Sequence, residues 1–412
     1  MKINSSRLWD MVHELAGFTI PGKPWTRRSF SPIYNEGRQW LMKEMKACGL
    51  EVKMDAAANV IGRLEGKNPA LPPIIIGSHT DTVTDGGRFD GIAGVLAGLE
   101  VARTLHDHSF QLDRPLEIVD FTAEEPSEYG LSTVGSRAWS GNLSEEMLTY
   151  TNTEGQTLGE AIAFAGGKPD EIAACLKKQR DIYLYLELHI EQGPVLLHEQ
   201  ADLGIVTGIV GIQRYKIIVD GKPNHAGTTP MHLRNDALAA ASQMILALEE
   251  VASRTYEESV VGTAGVIANY PNGSNVVPGK VEFLLEIRST SEKAIDEVSE
   301  SFIKKAQNIA SQRAVHVAHE DISRSQAITI DKDIQSLLHK AGSKVTDRLL
   351  ELPSGAGHDA NQMSLLAPVG MLFIPCKDGR SHCPEEWADQ QDLAKGAQTL
   401  LNTVLEVGKP SK

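Results

Sequence analysis

One stretch constrains the fold of this chain more than any other: IIIGSHTDTVTDGGRFDGIAGVLAGL, which spans Ile74–Leu99. The apolar run at its start lies between a proline and a glycine, as is typical of a buried strand. His79 and Asp81 follow at the carboxyl end of that strand, and Asp90 precedes a run of small and apolar residues that predicts a helix. Because ligands of open α/β sheets bind beyond the carboxyl ends of the strands, this pattern predicts a metal or polar-ligand site there.

The alternation of apolar strands with helical segments continues along the chain. It predicts an α/β catalytic domain with a mostly parallel sheet and helices on both faces. Further strands are expected at Leu116–Thr122, Tyr183–Ile190 and Val369–Ile374, and helices at 7–17, 35–48, near 332–345 and at 389–406.

From about Gly211 the order of elements becomes βαββαβ, which is typical of a compact ferredoxin-like domain. Thr229 and Pro230 are expected to open its first helix as N-cap and first helical residue. The remaining elements are predicted as strands at 261–269, 280–288 and 314–319, with a helix at 291–312. The sequence therefore predicts a catalytic domain from residues 1–210 and 325–412, with an inserted domain at 211–324.

Composition excludes several classes of function. The 412 residues carry a net charge of −14, which argues against nucleic-acid or anionic membrane partners. No apolar run approaches the roughly 18–20 residues of a membrane span. The amphipathic N-terminus does not resemble a signal peptide. The cysteines (Cys48, Cys175, Cys376 and Cys383) lack paired metal-finger spacing, so a reduced, cytoplasmic setting is expected.

Histidines and carboxylates recur after the predicted strands and glycine-rich loops. Catalytic zinc-type sites use about three protein ligands per metal ion and leave one position open. Asp90 is the natural bridge between two ions, because the amide dipole at a helix start favours an anion. The predicted groups are Asp90, Glu125 and His382 for one ion, and Asp90, His79 and His189 for the other. Such mixed ligands suit zinc first, with manganese, cobalt or nickel as alternatives.

Two further residues have predicted roles beside these ligands. Glu124 directly precedes Glu125 at the end of LEIVDFT, and adjacent side chains at a strand end point in different directions. Glu124 is therefore expected to stay free of the metals and to act as general base and then general acid. Asp81 lies two residues after His79 and is expected to accept a hydrogen bond from its imidazole N–H.

Eight motifs spread over residues 77–385 point to a family: GSHTDTV, FDG, AEE, ELHIEQGPVL, NHAGTTPM, PNGSNVVPGK, SGAGHDA and GRSHCPEE. Together they resemble the hydantoinase/carbamoylase branch of the M20 metallopeptidase-like amidohydrolases. The resemblance implies a dinuclear metal site, with His79, Asp90, Glu125, His189 and His382 matching the ligands and Glu124 the acid/base. It also implies a homodimer formed through the inserted domain.

The resemblance assigns substrate contacts as well. Gln192 matches a substrate-contacting residue, and His225 matches a histidine that stabilises the oxyanion from across the dimer. Asn275 and Arg288 match residues that hold the substrate carboxylate. The loop of residues 354–360, which contains Gly357, is expected to offer backbone amides to that carboxylate, with His358 and Asp359 supporting the site and not ligating a metal.

The expected activity is metal-dependent hydrolysis of the ureido C–N bond of an N-carbamoyl-L-amino acid or N-carbamoyl-β-alanine. Allantoate amidohydrolase is the alternative, since the same metals and arginine serve both. A dipeptidase or aminoacylase is more distant, because peptidase relatives place an acidic residue where this chain has His189. Two departures from the pattern, Pro126 after the glutamate pair and Cys383 after His382, leave substrate detail open.

Overall fold

The computed structural model describes residues 1–254, 256 and 258–408, so the last four residues of the predicted segment 325–412 lie outside the described part. The chain divides into two compact units. One comprises Met1–Thr207 together with the chain from Ile330 onward, and the other comprises Gly208–Thr329. The predicted boundaries at residues 210 and 325 fall close to these limits.

The strands, in chain order, are β1 (Glu51–Met54), β2 (Val60–Leu64), β3 (Ile74–His79), β4 (Leu116–Phe121), β5 (Leu184–Ile190), β6 (Leu203–Ile209), β7 (Gly211–Asp220), β8 (Asn224–His225), β9 (Val260–Tyr270), β10 (Val276–Val277), β11 (Lys280–Ser289), β12 (His316–Ser325), β13 (Ile328–Thr329), β14 (Leu349–Ser354) and β15 (Val369–Ile374).

The α-helices are α1 (Ser5–Ala16), α2 (Pro32–Ala47), α3 (Ile92–Asp107), α4 (Val134–Ser140), α5 (Glu145–Leu148), α6 (Leu158–Phe164), α7 (Val195–His198), α8 (Ala237–Ala252), α9 (Glu292–Arg313), α10 (Lys332–Gly342), α11 (Asp359–Met363) and α12 (Gln390–Val407). In the described part of the chain, none of them combines the length and the apolar character that crossing a bilayer requires.

The central sheet of the larger unit confirms the predicted α/β class. Its strand order is β1-β2-β4-β3-β5-β15-β6, and the four inner strands are mutually parallel. Strands β3, β4, β5 and β15 are buried along their whole length, because helices cover both faces. On one face, α3 and α12 pack with α1 around a large apolar core. On the other, Trp139 of α4 contacts Phe121 of β4.

Parallel strands that share a register end at the same edge of a sheet. His79 of β3 lies opposite Phe121 of β4, and Phe373 of β15 lies opposite His189 of β5. The segments that carry the predicted ligands therefore leave the sheet at one edge, and α3 starts directly after Asp90 and Gly91. This is the topological reason that residues from four distant motifs meet.

The smaller unit has a four-stranded antiparallel sheet in the order β12-β7-β11-β9, covered by α8 and α9. With the chain order β7-α8-β9-β11-α9-β12, this is the βαββαβ arrangement. Alternate residues of β11 are buried, so Phe283, Leu285 and Ile287 face the core and Arg288 lies on the other face.

The prediction that Thr229 and Pro230 open the first helix of this unit is wrong. That helix begins at Ala237, where Asp236 accepts hydrogen bonds from the amides of Leu238 and Ala239. The Thr229 hydroxyl instead donates to the carbonyl of His225 at 2.7 Å. A second short sheet, β8 with β10, was not expected from the sequence.

Candidate metal centre

Three groups of candidate metal ligands lie among the described residues, and Asp90 belongs to two of them. The two that share Asp90 are His79, Asp90 and His189, and Asp90, Glu125 and His382; the third is Glu187, His189 and His358. Within each group, one ligand atom of every residue lies within 4.8 Å of the others. The two groups that share Asp90 are the same triplets that the sequence analysis assembled around that residue.

The two carboxylate oxygens of Asp90 face different histidines. Oδ2 lies 3.0 Å from Nε2 of His382, and Oδ1 lies 3.3 Å from Nδ1 of His189. Gln192, held in the left-handed region at φ 58°, donates to Oδ1 through its side-chain amide at 2.9 Å. Burial alone would raise the pKa of Asp90, but His189 and His382 lower it below the ordinary carboxyl value. The residue is thus an anion facing both groups.

The group around His382 concentrates negative charge. Its Nε2 lies 3.1 Å from Oε1 of Glu125 as well as near Asp90, and these hydrogen bonds raise the pKa of His382 to about 11. Burial raises the pKa of Glu125 despite this neighbour. Two buried carboxylates facing one point need a compensating cation; the protonated His382 supplies that charge here, and a divalent metal ion would supply it in place of the proton.

The two imidazoles of the other group differ in their protonation. Nδ1 of His79 lies 3.0 Å from the carbonyl oxygen of Asp81, so that nitrogen carries a proton. Burial opposes the charged ring, but the carboxylates of Glu124, Asp81 and Asp90 raise the pKa of His79 well above its ordinary value. A metal ion at Nε2 would therefore displace a proton from that nitrogen. Nε2 of His189 is buried and has no hydrogen-bond partner among the described residues. Burial lowers the pKa of His189 to about 4, which keeps it neutral. The residues present therefore fit a dinuclear metal centre.

The predicted partnership of Asp81 with His79 is realised through different atoms. The backbone carbonyl of Asp81 receives the imidazole proton, whereas its carboxylate Oδ1 lies 3.6 Å from Nδ1. The carboxylate instead accepts hydrogen bonds from the backbone amides of Glu124 and Glu125, at 3.2 Å each. Asp81 therefore orients the glutamate pair as well as the imidazole.

Glu124 lies beside the first group. Its Oε2 is 3.6 Å from Nε2 of His79, and the residue is 8% exposed. Burial raises the pKa of Glu124 well above its usual range, and the nearby carboxylates of Asp359 and Glu125 add to the shift. A carboxyl group with a raised pKa at the edge of such a site has the property that a general acid/base needs.

The loop of residues 354–360 contributes a supporting layer. His358 is buried, with Nε2 2.7 Å from the Ser354 hydroxyl, and its ring packs edge-on against His189 with centroids 4.7 Å apart. Asp359 accepts a hydrogen bond from Ser136. Gly357 is exposed, and a Cβ added there would meet only the side-chain oxygen of Asn361, at 3.9 Å.

The remaining predicted substrate residues belong to the smaller unit. His225 and Asn275 are neighbours there, because the amide of Ala226 donates to the carbonyl of Asn275. Nδ1 of the exposed His225 accepts hydrogen bonds from the amides of Gly227 and Thr228, so the neutral ring carries its proton on Nε2.

Arg288 is half-buried on the sheet face opposite the core. Its guanidinium contacts Glu286 at 2.7 Å. Glu286 also accepts a hydrogen bond from Arg214 at 3.0 Å.

Two buried glutamates beside the ligands escaped the sequence analysis. Glu187 accepts hydrogen bonds from Ser78, Tyr185 and the amide of Ala360, and burial raises its pKa to about 7. Glu386 accepts from the amides of Phe89 and Asp90. The available signals were a charge within the apolar strand LYLELHI and a second glutamate shortly after His382.

Comparison with known proteins identifies the family of the chain. Residues 75–406 match the model of peptidase family M20/M25/M40. The chain belongs to the M20 family. It is 39% identical to an N-carbamoyl-L-amino acid amidohydrolase of Geobacillus stearothermophilus, with 99% of each chain covered. A hydantoinase/carbamoylase-family amidase of Burkholderia multivorans superposes with a TM-score of 0.91 at 32% identity, covering 100% of this chain and 99% of that one.

Other M20 relatives differ in their named substrates. A ureidoglycolate hydrolase of Oryza sativa subsp. japonica is 33% identical, with 97% of this chain and 84% of the relative covered. A probable allantoate deiminase from the same plant is 32% identical, covering 93% and 84%. The protein is therefore an M20-family hydrolase of C–N bonds in the hydantoinase/carbamoylase branch, which confirms the resemblance. Enzymes of this family generally depend on two metal ions.

Proposed function

We propose that this protein hydrolyses the ureido C–N bond of an N-carbamoyl-L-amino acid or N-carbamoyl-β-alanine, releasing the amino acid, ammonia and carbon dioxide. The observation that carries the proposal is the pair of ligand groups that share Asp90, with Glu124 buried beside them. The similarity to an N-carbamoyl-L-amino acid amidohydrolase over 99% of both chains supports the choice of substrate class.

His79, His189 and Asp90 would hold one divalent ion, and Asp90, Glu125 and His382 the other. Zinc suits this mixture of imidazole and carboxylate best, with manganese, cobalt or nickel as alternatives. When bound, the ions would supply Lewis-acid polarisation of the carbamoyl group and acidify a water molecule.

The protein's own groups would handle the protons and the charge. Glu124 would take a proton from the attacking water and deliver it to the leaving nitrogen. His225 would donate from Nε2 to the oxyanion, a role that its hydrogen-bonded Nδ1 leaves open. Arg288 would exchange its contact with Glu286 for one with the substrate carboxylate. Asn275 and the backbone near Gly357 would hold the same carboxylate, and Gln192 would contact the substrate.

Allantoate is the second candidate substrate, because a probable allantoate deiminase is 32% identical over most of this chain. Allantoate also contains ureido groups and a carboxylate, so the same ligands and the same arginine would serve it. A dipeptide is the most distant candidate: a solved aminopeptidase of Bacillus cereus is only 19% identical to this chain, and that likeness supports the fold alone.

The deciding experiment measures ammonia release by the metal-reconstituted protein. The substrates are N-carbamoyl-β-alanine, several N-carbamoyl-L-amino acids, allantoate and a dipeptide, the dipeptide being scored by free amine. Chelator-treated protein is the control. We expect the highest kcat/KM on a carbamoyl amino acid. Preference for allantoate would transfer the proposal to the second candidate, and activity on the dipeptide alone would contradict it.

We also propose a homodimer formed through the edge strand β9 of the smaller unit. Its sequence, VVGTAGVIANY, has no charged residue, and Val261 and Val266 are more than half exposed. The opposite edge, β12, is HVAHEDISRS, whose charges oppose pairing with another strand. An uncharged edge with exposed apolar side chains suits a symmetric contact between two copies.

A further inference from the structure

A buried carboxylate links the two loops that carry the shared aspartate and the last histidine. Glu386 is fully buried. Its Oε1 accepts hydrogen bonds from two successive amides, those of Phe89 at 2.8 Å and Asp90 at 3.0 Å. Its Oε2 accepts from the hydroxyl of Ser381 at 2.8 Å, one residue before His382. The side chain thus contacts both loops at positions next to, or within, the candidate ligands.

The loop before Asp90 is shaped around this carboxylate. A Cβ added at Gly87 would lie about 2 Å from the Glu386 carboxyl atoms (1.9–2.1 Å), so no other residue fits there without moving it. His382 itself is held in the left-handed region at φ 57°, a conformation that costs energy for a residue with a side chain. The backbone around the histidine therefore depends on contacts such as this one.

Two tryptophan rings and an arginine pack beside the same loops. The guanidinium of Arg88 lies between the rings of Trp25 and Trp387, 4.6 Å from each centroid. The indole N–H of Trp25 donates to the carbonyl of Pro384 at 3.2 Å. These contacts hold the Arg88 cation near Glu386, where its positive charge offsets part of the negative charge of the buried carboxylate.

We propose that Glu386 is a positioning residue that holds the Asp90 loop and the His382 loop at the spacing required by the ion of Asp90, Glu125 and His382. The inference rests on the proposed function for the existence of that ion, but it concerns retention of the metal and not the identity of the substrate. The two loops donate three hydrogen bonds to the buried Glu386 carboxylate, which leaves Asp90 and His382 little freedom. Binding of the metal ion therefore needs little reorganisation.

The test compares E386A and E386Q with E385A. Glu385 is the matched control, because it is the adjacent glutamate, is exposed and pairs only at the surface with Arg380 in the described contacts. Each protein is loaded with zinc and titrated with a chelator, and bound zinc is counted by elemental analysis. The melting temperature of the metal-free form is measured in parallel.

We expect E386A to weaken binding of the zinc ion held by Asp90, Glu125 and His382 by about 10- to 100-fold. E386Q should lose less, because its amide oxygen still accepts from the loop amides, and E385A should match the wild type. If E386A fails to fold, S381A replaces it: removal of the single Ser381 contact should weaken the same ion by a smaller factor.

The outcomes separate this inference from the function on which it rests. Wild-type zinc affinities in E386A, or in S381A where that variant replaces it, would overturn the positioning role even if the metal-free form melts at a lower temperature. A wild-type protein that retains two zinc ions but hydrolyses none of the ureido substrates would overturn the proposed function alone. A wild-type protein that binds neither zinc nor manganese, cobalt or nickel would overturn both.

Discussion

The candidate metal ligands of the larger unit and the candidate substrate residues of the smaller unit are held in different ways. Asp90, Glu125 and His189 are buried. Asp90 lies 3.3 Å from His189, and Glu125 lies 3.1 Å from His382. His225 is exposed, and Arg288 is half-buried against Glu286. The difference indicates that the candidate ligands, apart from the exposed His382, are already assembled within the larger unit, whereas the proposed substrate-binding groups would exchange internal partners or solvent for the substrate.

Replacing the shared aspartate should have the largest effect. D90N keeps the shape of the side chain but removes the charge common to both groups, so we expect loss of both metal ions and activity at the level of chelator-treated protein. Elemental analysis and the ammonia assay measure this. D85N, at an exposed aspartate of the same loop, is the control and should retain both ions. Two ions in D90N would contradict the bridging role.

Removing the general base should separate metal binding from turnover. E124Q is expected to retain two metal ions and to lose about 10²- to 10⁴-fold in kcat, because the amide accepts no proton from water. E128Q, at an exposed glutamate nearby, serves as the control. Near-normal kcat in E124Q would mean that another group takes the proton.

The next prediction moves to the smaller unit. H225N places an acceptor near the position of Nδ1, which preserves the hydrogen bonds from Gly227 and Thr228, but it removes the Nε2 donor. We expect kcat to fall about 10²- to 10³-fold with metal content unchanged. H232N, at an exposed histidine of the same unit, should behave as the wild type. An unchanged kcat in H225N would exclude its oxyanion role.

Arg288 should affect substrate binding more than turnover. R288K keeps the charge but loses the planar pair of donors, so KM should rise about 10- to 100-fold while metal content stays at two ions. R214K is the matched control, since Arg214 contacts the same Glu286 from the neighbouring strand. Equal KM changes in the two variants would indicate a general effect of the Glu286 ion pairs.

The smallest effect on metal binding is expected from the sheet edge. V266K places a charge on the uncharged strand β9 and should shift the protein from dimer to monomer in sedimentation experiments, while both metals are retained. I322K makes the same change at a half-exposed position of the opposite edge strand and should leave the dimer intact. A dimer that survives V266K would place the interface elsewhere.

Sequence patterns predicted the fold well wherever local periodicity decides it. The buried strand at Ile74 and the alternating burial along β11 follow directly from the order of apolar residues. The start of α8 did not follow, because both Thr229 and Asp236 are acceptable N-caps and the choice depends on which one the surrounding turn leaves free.

The order of residues alone predicts which chemical groups follow the buried strands and glycine-rich loops, and so it names His79, Asp90, Glu125, His189 and His382 as candidate ligands. Which atoms of the surrounding residues support them is visible only in three dimensions. Asp81 supports His79 with its carbonyl and the glutamate pair with its carboxylate. Glu386 reaches amides almost three hundred positions away, at a separation of 296 residues for Asp90. Such contacts depend on side-chain direction and loop closure, which no local pattern encodes.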